Sequence, residues 1–312
     1  MSKNNFLLLL LMFCMTFVGF TSEVFLRDWQ IPDNRISRKD GMITVVLSRS
    51  MRLLPEEYRL FTGKTKTAVI DGVSVTFKKP SYCAIVIDDV PMNWTFFKTS
   101  FLLLNIPMTF SVLPFELHAK EYADMIVAAG FDVQIHMPME PEGYPGMSPG
   151  KKAIFLAQTT DENIQLIDEA CAILPFAVGM NNHMGSRATS ERTTMLPIFI
   201  RLKQKGMYFL DSKTSPKSIC AQVAEEVGLV CIENHYFLDD SERVEEIAVY
   251  LNRAIQNAFT NGYSVVIGHP YKETYDALSS SILRNTQDGI EYITVRELST
   301  IIRSPFYERY GY

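Results

Sequence analysis

From about residue 80 onward, short apolar runs rich in β-branched residues alternate with amphipathic segments, and that rhythm leaves few folds open. Strands that are apolar on both sides must be covered on both sides, which is the condition of a parallel sheet joined by crossover helices. The first run, Cys83-Ala84-Ile85-Val86-Ile87, drops into two adjacent carboxylates, Asp88 and Asp89. Residues 107–113 read as a second strand and 117–129 as a helix closed by Gly130. Residues 131–135 read as a third strand that runs into His136. After a Pro/Gly-rich loop over 138–150, residues 161–174 read as a helix, and 176–178 as a short strand ending in Gly179-Met180-Asn181-Asn182-His183. Ser190 is placed to cap a helix that ends at Gly206, residues 207–210 form a strand delivering Asp211, and Pro216 starts a helix ending at Gly228 before a strand over 229–232. Val244, Ile247, Ala248, Leu251, Ile255, Ala258 and Phe259 hold one face of a long helix stopped by Gly262. A buried strand over 263–267 then ends in Gly268-His269-Pro270, and residues 292–302 close the series. Seven to eight such units fit a (β/α) barrel better than an open sheet.

Residues 23–79 lack this rhythm and read as a small amino-terminal extension, with Asp71-Gly72 between two β-prone runs as a hairpin signal. The expected organisation is therefore a leader over 1–22, the extension, and a catalytic domain over 80–306. The leader carries Lys3 before an apolar run from Phe6 to Phe13 that extends weakly to Phe20. Its ~15 apolar residues match a signal-peptide core better than the ~20 of a spanning helix. Export to the periplasm or cell envelope is the expectation, with an uncleaved anchor as the alternative, because no clean small-x-small cleavage site is present. A net charge of −5 and pI near 5.6 argue against nucleic acid as a partner. Beyond the leader, Cys83, Cys171, Cys220 and Cys231 show no metal-binding spacing. A Cys220 to Cys231 bridge is the one disulfide left open for an exported chain.

The polar residues that end the strands are Asp88 and Asp89, His136, Asn181, Asn182 and His183, Asp211 and Ser212, and His269. The carboxyl ends of strands in a βα barrel share one mouth, so residues far apart in sequence converge there. Three of the five histidines fall in this set, whereas His118 reads as an exposed helix residue and His235 as a loop residue. Carboxylate and imidazole are the ligands of a catalytic divalent ion, with zinc favoured. Asn181, Asn182 and Arg187 can equally be read as loop-fixing hydrogen-bonding residues. Asp211 can hold His269 or a ligand in one tautomer.

The strings AIVIDD at 84–89, QIHMPMEP at 134–141, GMNNHMGSR at 179–187, FLDSKTS at 209–215, FLD at 237–239 and IGHP at 267–270 resemble the divergent polysaccharide deacetylases, distant relatives of the NodB-type deacetylases. The resemblance implies a distorted (β/α) barrel and metal-dependent hydrolysis of N-acetyl groups on sugars. It maps a general base onto Asp88, a metal ligand onto Asp89 and a general acid onto His269. His136 matches the first histidine of the family's His-x-x-x-His pair, but Glu140 stands where the second belongs. His183 is the replacement expected to complete the ligands, while Glu140 can ligate in addition or orient a ligand. Asn181, Asn182, Asp211, Ser212, Arg187 and Asp239 are expected to support the site or touch substrate. The expected substrate is an N-acetylated envelope glycan. A non-catalytic glycan-binding protein and an O-acetyl esterase are the alternatives.

Overall fold

The computed structural model describes strand residues 36–39, 42–46, 65–70 and 73–78, then residues 81–150, 152–287 and 290–302. The expected leader over 1–22 lies outside these residues. Residue contacts divide the chain near Ser81 into a small amino-terminal unit and a large unit, Tyr82–Leu283 with Tyr292–Arg303.

The small unit is a four-stranded sheet of order β1-β2-β4-β3. β1 (Ile36–Lys39) and β2 (Met42–Val46) form one antiparallel pair, and β3 (Thr65–Ile70) and β4 (Val73–Lys78) another. Ile70 stands opposite Val73, so the connection is the two-residue one that Asp-Gly favours.

The large unit is built on a parallel sheet running β10-β9-β8-β7-β6-β5-β12-β11, with helices between strands, which is a distorted (β/α) barrel. In chain order the elements are β5 (Ser81–Val90), α1 (Trp94–Ser100), β6 (Thr109–Val112), α2 (Ala119–Ala128), β7 (Asp132–Met139), α3 (Thr160–Ile173) and β8 (Gly179–Met184). There follow α4 (Arg192–Gln204), β9 (Tyr208–Asp211), α5 (Cys220–Val227), β10 (Cys231–Glu233), β11 (Tyr236–Phe237), α6 (Val244–Asn261), β12 (Tyr263–Gly268), α7 (Lys272–Gln287), β13 (Ile290–Ile293) and α8 (Val295–Ile302). The two end strands of the path, β10 and β11, are consecutive in sequence. At this seam the Asn234 amide donates to the Asp211 carbonyl beside β10, and the next amide, His235, donates to Val265 of β12, at 2.9 and 3.0 Å. The chain itself thus closes the barrel where no ladder does.

Local chemistry accounts for the element ends. Thr159 and Glu162 form a reciprocal capping box at the start of α3. Gly228 and Gly262 take the left-handed conformation that ends α5 and α6. α6 buries Ile247, Leu251, Ala254, Ile255 and Ala258 on one face, as its periodicity predicts. The sequence expectation differs at β8, which spans Gly179–Met184 rather than 176–178. Phe176 is exposed, and the polar residues expected to follow a strand are the strand itself. They are tolerated because each buried amide there finds a partner, described below. α1 and α7 were not among the expected helices. α1 is held by aromatic packing of Phe97 on Phe101 and Phe110, at 5.7 and 4.9 Å between centroids. Cys83, Cys171, Cys220 and Cys231 are free thiols, so the Cys220 to Cys231 bridge is absent. His118 stands exposed at the start of α2, paired with Glu121.

One core cluster joins Tyr82, Ala84 and Val86 of β5 to Tyr208 and Leu210, Ile232, and Val265 and Ile267. Side chains alternate along a strand, so these rows face one way, inside the barrel. A buried polar layer crosses the same interior: Tyr208 Oη donates to Gln134 Oε1, and Gln134 Nε2 donates to Ser111 Oγ, at 2.9 and 2.8 Å. Gly179 faces the Tyr208 ring so closely that a Cβ there would come within 2.3 Å of it. Gly179→Ala is expected to cost about 1–3 kcal/mol by overpacking, read as a lower urea midpoint at unchanged slope.

Candidate metal and catalytic site

The site extends the interior rows. Two residues beyond Val86, Leu210, Ile232 and Ile267 stand Asp88, Ser212, Asn234 and His269. In the same way His136 follows Gln134 in β7, and Asn181 and His183 follow Gly179 in β8. β5, β9, β10 and β12 therefore fill the barrel with the core cluster at their starts and deliver a polar side chain to the mouth at their ends, while β7 and β8 reach the mouth from Gln134 and Gly179.

Asp89 breaks the alternation and would by parity face the helices. The ladder to β6 shifts here, with Ile87 opposite Phe110 but Val90 opposite Val112, and Asp89 takes a left-handed φ of 57°. Asp is among the few residues that tolerate this backbone. The bulge turns Asp89 into the mouth beside Asp88.

Asp89 Oδ1 lies 3.0 Å from His136 Nε2 and 2.9 Å from His183 Nδ1. The two ring nitrogens are 3.2 Å apart. Oδ1 is buried yet receives no aligned hydrogen bond. Three lone-pair atoms facing one point, one of them an orphaned acceptor, are what an ion with ligands at about 2.0–2.2 Å gathers. Asp89, His136 and His183 are the one such group among the described residues. The three fit a divalent ion, leave one net positive charge on it, and keep further positions free.

Burial alone would raise the Asp89 carboxyl, but the two imidazoles against it overrule that and hold it well below the carboxylate range. Burial would lower His136, and the charges of Asp88 and Asp89 outweigh it, so its pKa lies above that of a free histidine.

Asp88 is buried and accepts from Asn181 Nδ2 through both oxygens, at 2.9 and 3.0 Å. Asn181 stands opposite His136 in the ladder and accepts from His136 Nδ1 at 2.8 Å. Ser212 is tied in by its amide to Asn182 Oδ1 and by its hydroxyl to the Asn182 carbonyl, both at 2.9 Å.

His269 faces the group from the other side, with Nε2 4.0 Å from Asp89 Oδ2. Its Nδ1 lies 2.8 Å from Asp239 Oδ1, and its amide donates to Asp239 Oδ2 at 2.6 Å. Thr274 Oγ1 also donates to Asp239 Oδ2, at 2.6 Å. Only a glycine at 268 permits this approach, since a Cβ there would lie 2.9 Å from Thr274 and 3.2 Å from Asp239. Burial pulls His269 down, but the Asp239 carboxylate more than compensates and lifts it to about 9. Asp239 is thus the partner of His269, and Asp211 is not. The Asp211 carboxylate accepts from Ser218 Oγ and the Lys213 amide, at 2.6 and 2.8 Å, and serves the β9 loop.

Glu140 does not join the ligand group. It is buried, with Oε1 bound by Arg187 Nη1 and Oε2 by the Leu156 amide, both at 2.7 Å. Its carbonyl accepts from the Arg187 and Ala188 amides, so it pins the loop after β8. Thr274 and Ser218 were absent from the sequence expectation, and lone hydroxyls on a loop or helix carry no pattern that would have raised them.

A family model described as divergent polysaccharide deacetylase matches residues 85–299. The uncharacterized protein YibQ of Escherichia coli K12 is 34% identical over 225 residues, covering 71% of this chain and 67% of that protein. An uncharacterized protein of Haemophilus influenzae is 32% identical over 220 residues, covering 70% and 76%. Among solved structures, an uncharacterized protein from Agrobacterium tumefaciens C58 superposes with a TM-score of 0.67 at 21% identity, covering 70% of this chain and 89% of that one. That likeness bears on the fold alone.

Chelator competition with Zn²⁺ checks the ligand group. His183→Ala is expected to weaken binding by more than the ~10–100-fold that losing a supporting residue costs. Glu140→Gln is expected to leave affinity within a few-fold. Affinity should fall with falling pH, because His136 gains a proton that the ion must displace.

Proposed function

The chain belongs to the divergent polysaccharide deacetylase family, and from that premise we propose that it is a metal-dependent hydrolase removing N-acetyl groups from an envelope polysaccharide. The observation that carries the reading is the meeting of three ligand atoms, a carboxylate outside the ligand group and a raised histidine in one mouth.

An acetamide is a poor electrophile and water a poor nucleophile at neutral pH. A divalent ion, zinc by its donor set, supplies the Lewis acidity that polarises the acyl oxygen and acidifies water. Asp88 lies 3.7 Å from His136 Nε2, close to the ligands but held by Asn181, so it is free to take a proton from water. His269 is the proton donor. Its Nδ1–H is engaged by Asp239, which leaves an Nε2 proton to pass to the departing nitrogen. A pKa near 9 keeps it charged at neutral pH. Arg187 is half exposed beyond its bond to Glu140, and with Asn182 and Ser212 it belongs to the frame that shapes the mouth.

The substrate is placed outside the cytoplasm because of the leader-like residues 1–22. Among the described residues no helix is long and apolar enough to cross a membrane.

Zn²⁺-loaded protein is expected to release acetate from N-acetylglucosamine oligomers. Asp88→Asn should lower turnover by about 10²–10⁴-fold while keeping the metal. Release from O-acetyl substrates alone would turn the reading to an esterase, and no release from either would overturn it. The rate should fall as pH rises through the His269 titration, at or below about 9, since a bound cation opposes a second positive charge. Asp239→Asn removes the carboxylate that raises His269 and should move this limb to lower pH.

A further inference from the structure

Both ends of the Asn181 side-chain amide are engaged. Its Oδ1 faces His136 Nδ1 at 2.8 Å. Its Nδ2 faces both oxygens of Asp88, at 2.9 and 3.0 Å, and Ser212 Oγ at 3.2 Å. Asn181 and His136 are 0% and 2% exposed, so no solvent stands ready to replace either contact. The orientation of the amide is set by chemistry, because the reverse would put its oxygen against a carboxylate.

Resting on the metal-dependent reading above, we propose that Asn181 is a positioning residue that ties the ion's ligand to the base. An amide oxygen only accepts, so it holds His136 as the Nδ1–H form and leaves the Nε2 lone pair toward Asp89 and His183. The amide nitrogen of the same side chain holds Asp88. Neither kind of charged residue can fill this position. A cation could hold Asp88 but could not accept from His136, and it would weaken Asp88 as a base. A carboxylate could accept from His136 but would repel Asp88. The neutral amide does both, and the register that sets residue 181 opposite residue 136 brings it there.

The test separates the two ends of the amide. Asn181→Ser removes both contacts while leaving polar space for water. It is expected to weaken Zn²⁺ affinity, by chelator competition, about 10–100-fold. Asn181→Asp restores the acceptor for His136 only, so affinity should return to within about three-fold of the parent protein while acetate release at saturating Zn²⁺ stays at least ~100-fold down. This split between affinity and turnover is what a merely structural role would not produce. Should Asn181→Ser fail to fold, the Asp88→Asn background, which removes the buried charge, carries the same affinity comparison. The proposal is overturned if Asn181→Ser binds as tightly as the parent, or if Asn181→Asp binds as weakly as Asn181→Ser. Failure of the parent protein to bind Zn²⁺ or release acetate would instead sink the functional reading.

Discussion

Two carboxylates on consecutive residues, held in the mouth of a barrel, repel each other and must be answered by different partners. Asp88 is answered by a neutral amide and Asp89 by two imidazoles. That division decides the rest of the site. A carboxylate held by an amide stays outside the ligand group, whereas one pressed between imidazoles stays ionised and ready for a cation. The second arrangement would not exist without the left-handed bulge at Asp89, which costs ~1–2 kcal/mol of backbone strain.

The strands that deliver these groups use one device repeatedly. In β5, β9, β10 and β12 the interior row belongs to the core cluster where the barrel must be filled and turns polar one step further on, where it opens. Stability and chemistry thus share the same face of the same strands. The buried bridge from Ser111 through Gln134 to Tyr208 lies among the interior residues, and the layer above it is the site. The seam between β10 and β11 belongs to the same design. Asn234 and His235 bind to opposite sides of the gap and bring Asp239 to His269 within a few residues.

Much of this was legible in the residues. Apolar runs that end in Asp, His or Asn mark strands whose ends carry chemistry, and that pattern groups Asp88, Asp89, His136, His183 and His269. It misplaced β8, because hydropathy assigns a strand to apolar residues such as Phe176, and the real strand is Gly179–Met184. It also offered Asp211 for a job that Asp239 does. Both stand at the ends of short strands, and their partners distinguish them: Ser218 and the Lys213 amide for Asp211, Thr274 and His269 for Asp239.

By themselves the residue types and their spacing favour a βα barrel over an open sheet, with carboxylates, histidines and amides at the strand ends. Periodicity is local, and the strand period is short enough to read from neighbours. Which acid faces which base was decided by the tertiary structure. The bulge that turns Asp89, the register that sets Asn181 opposite His136, and the salt bridge that draws Glu140 to Arg187 are contacts across strands, and no local pattern encodes them.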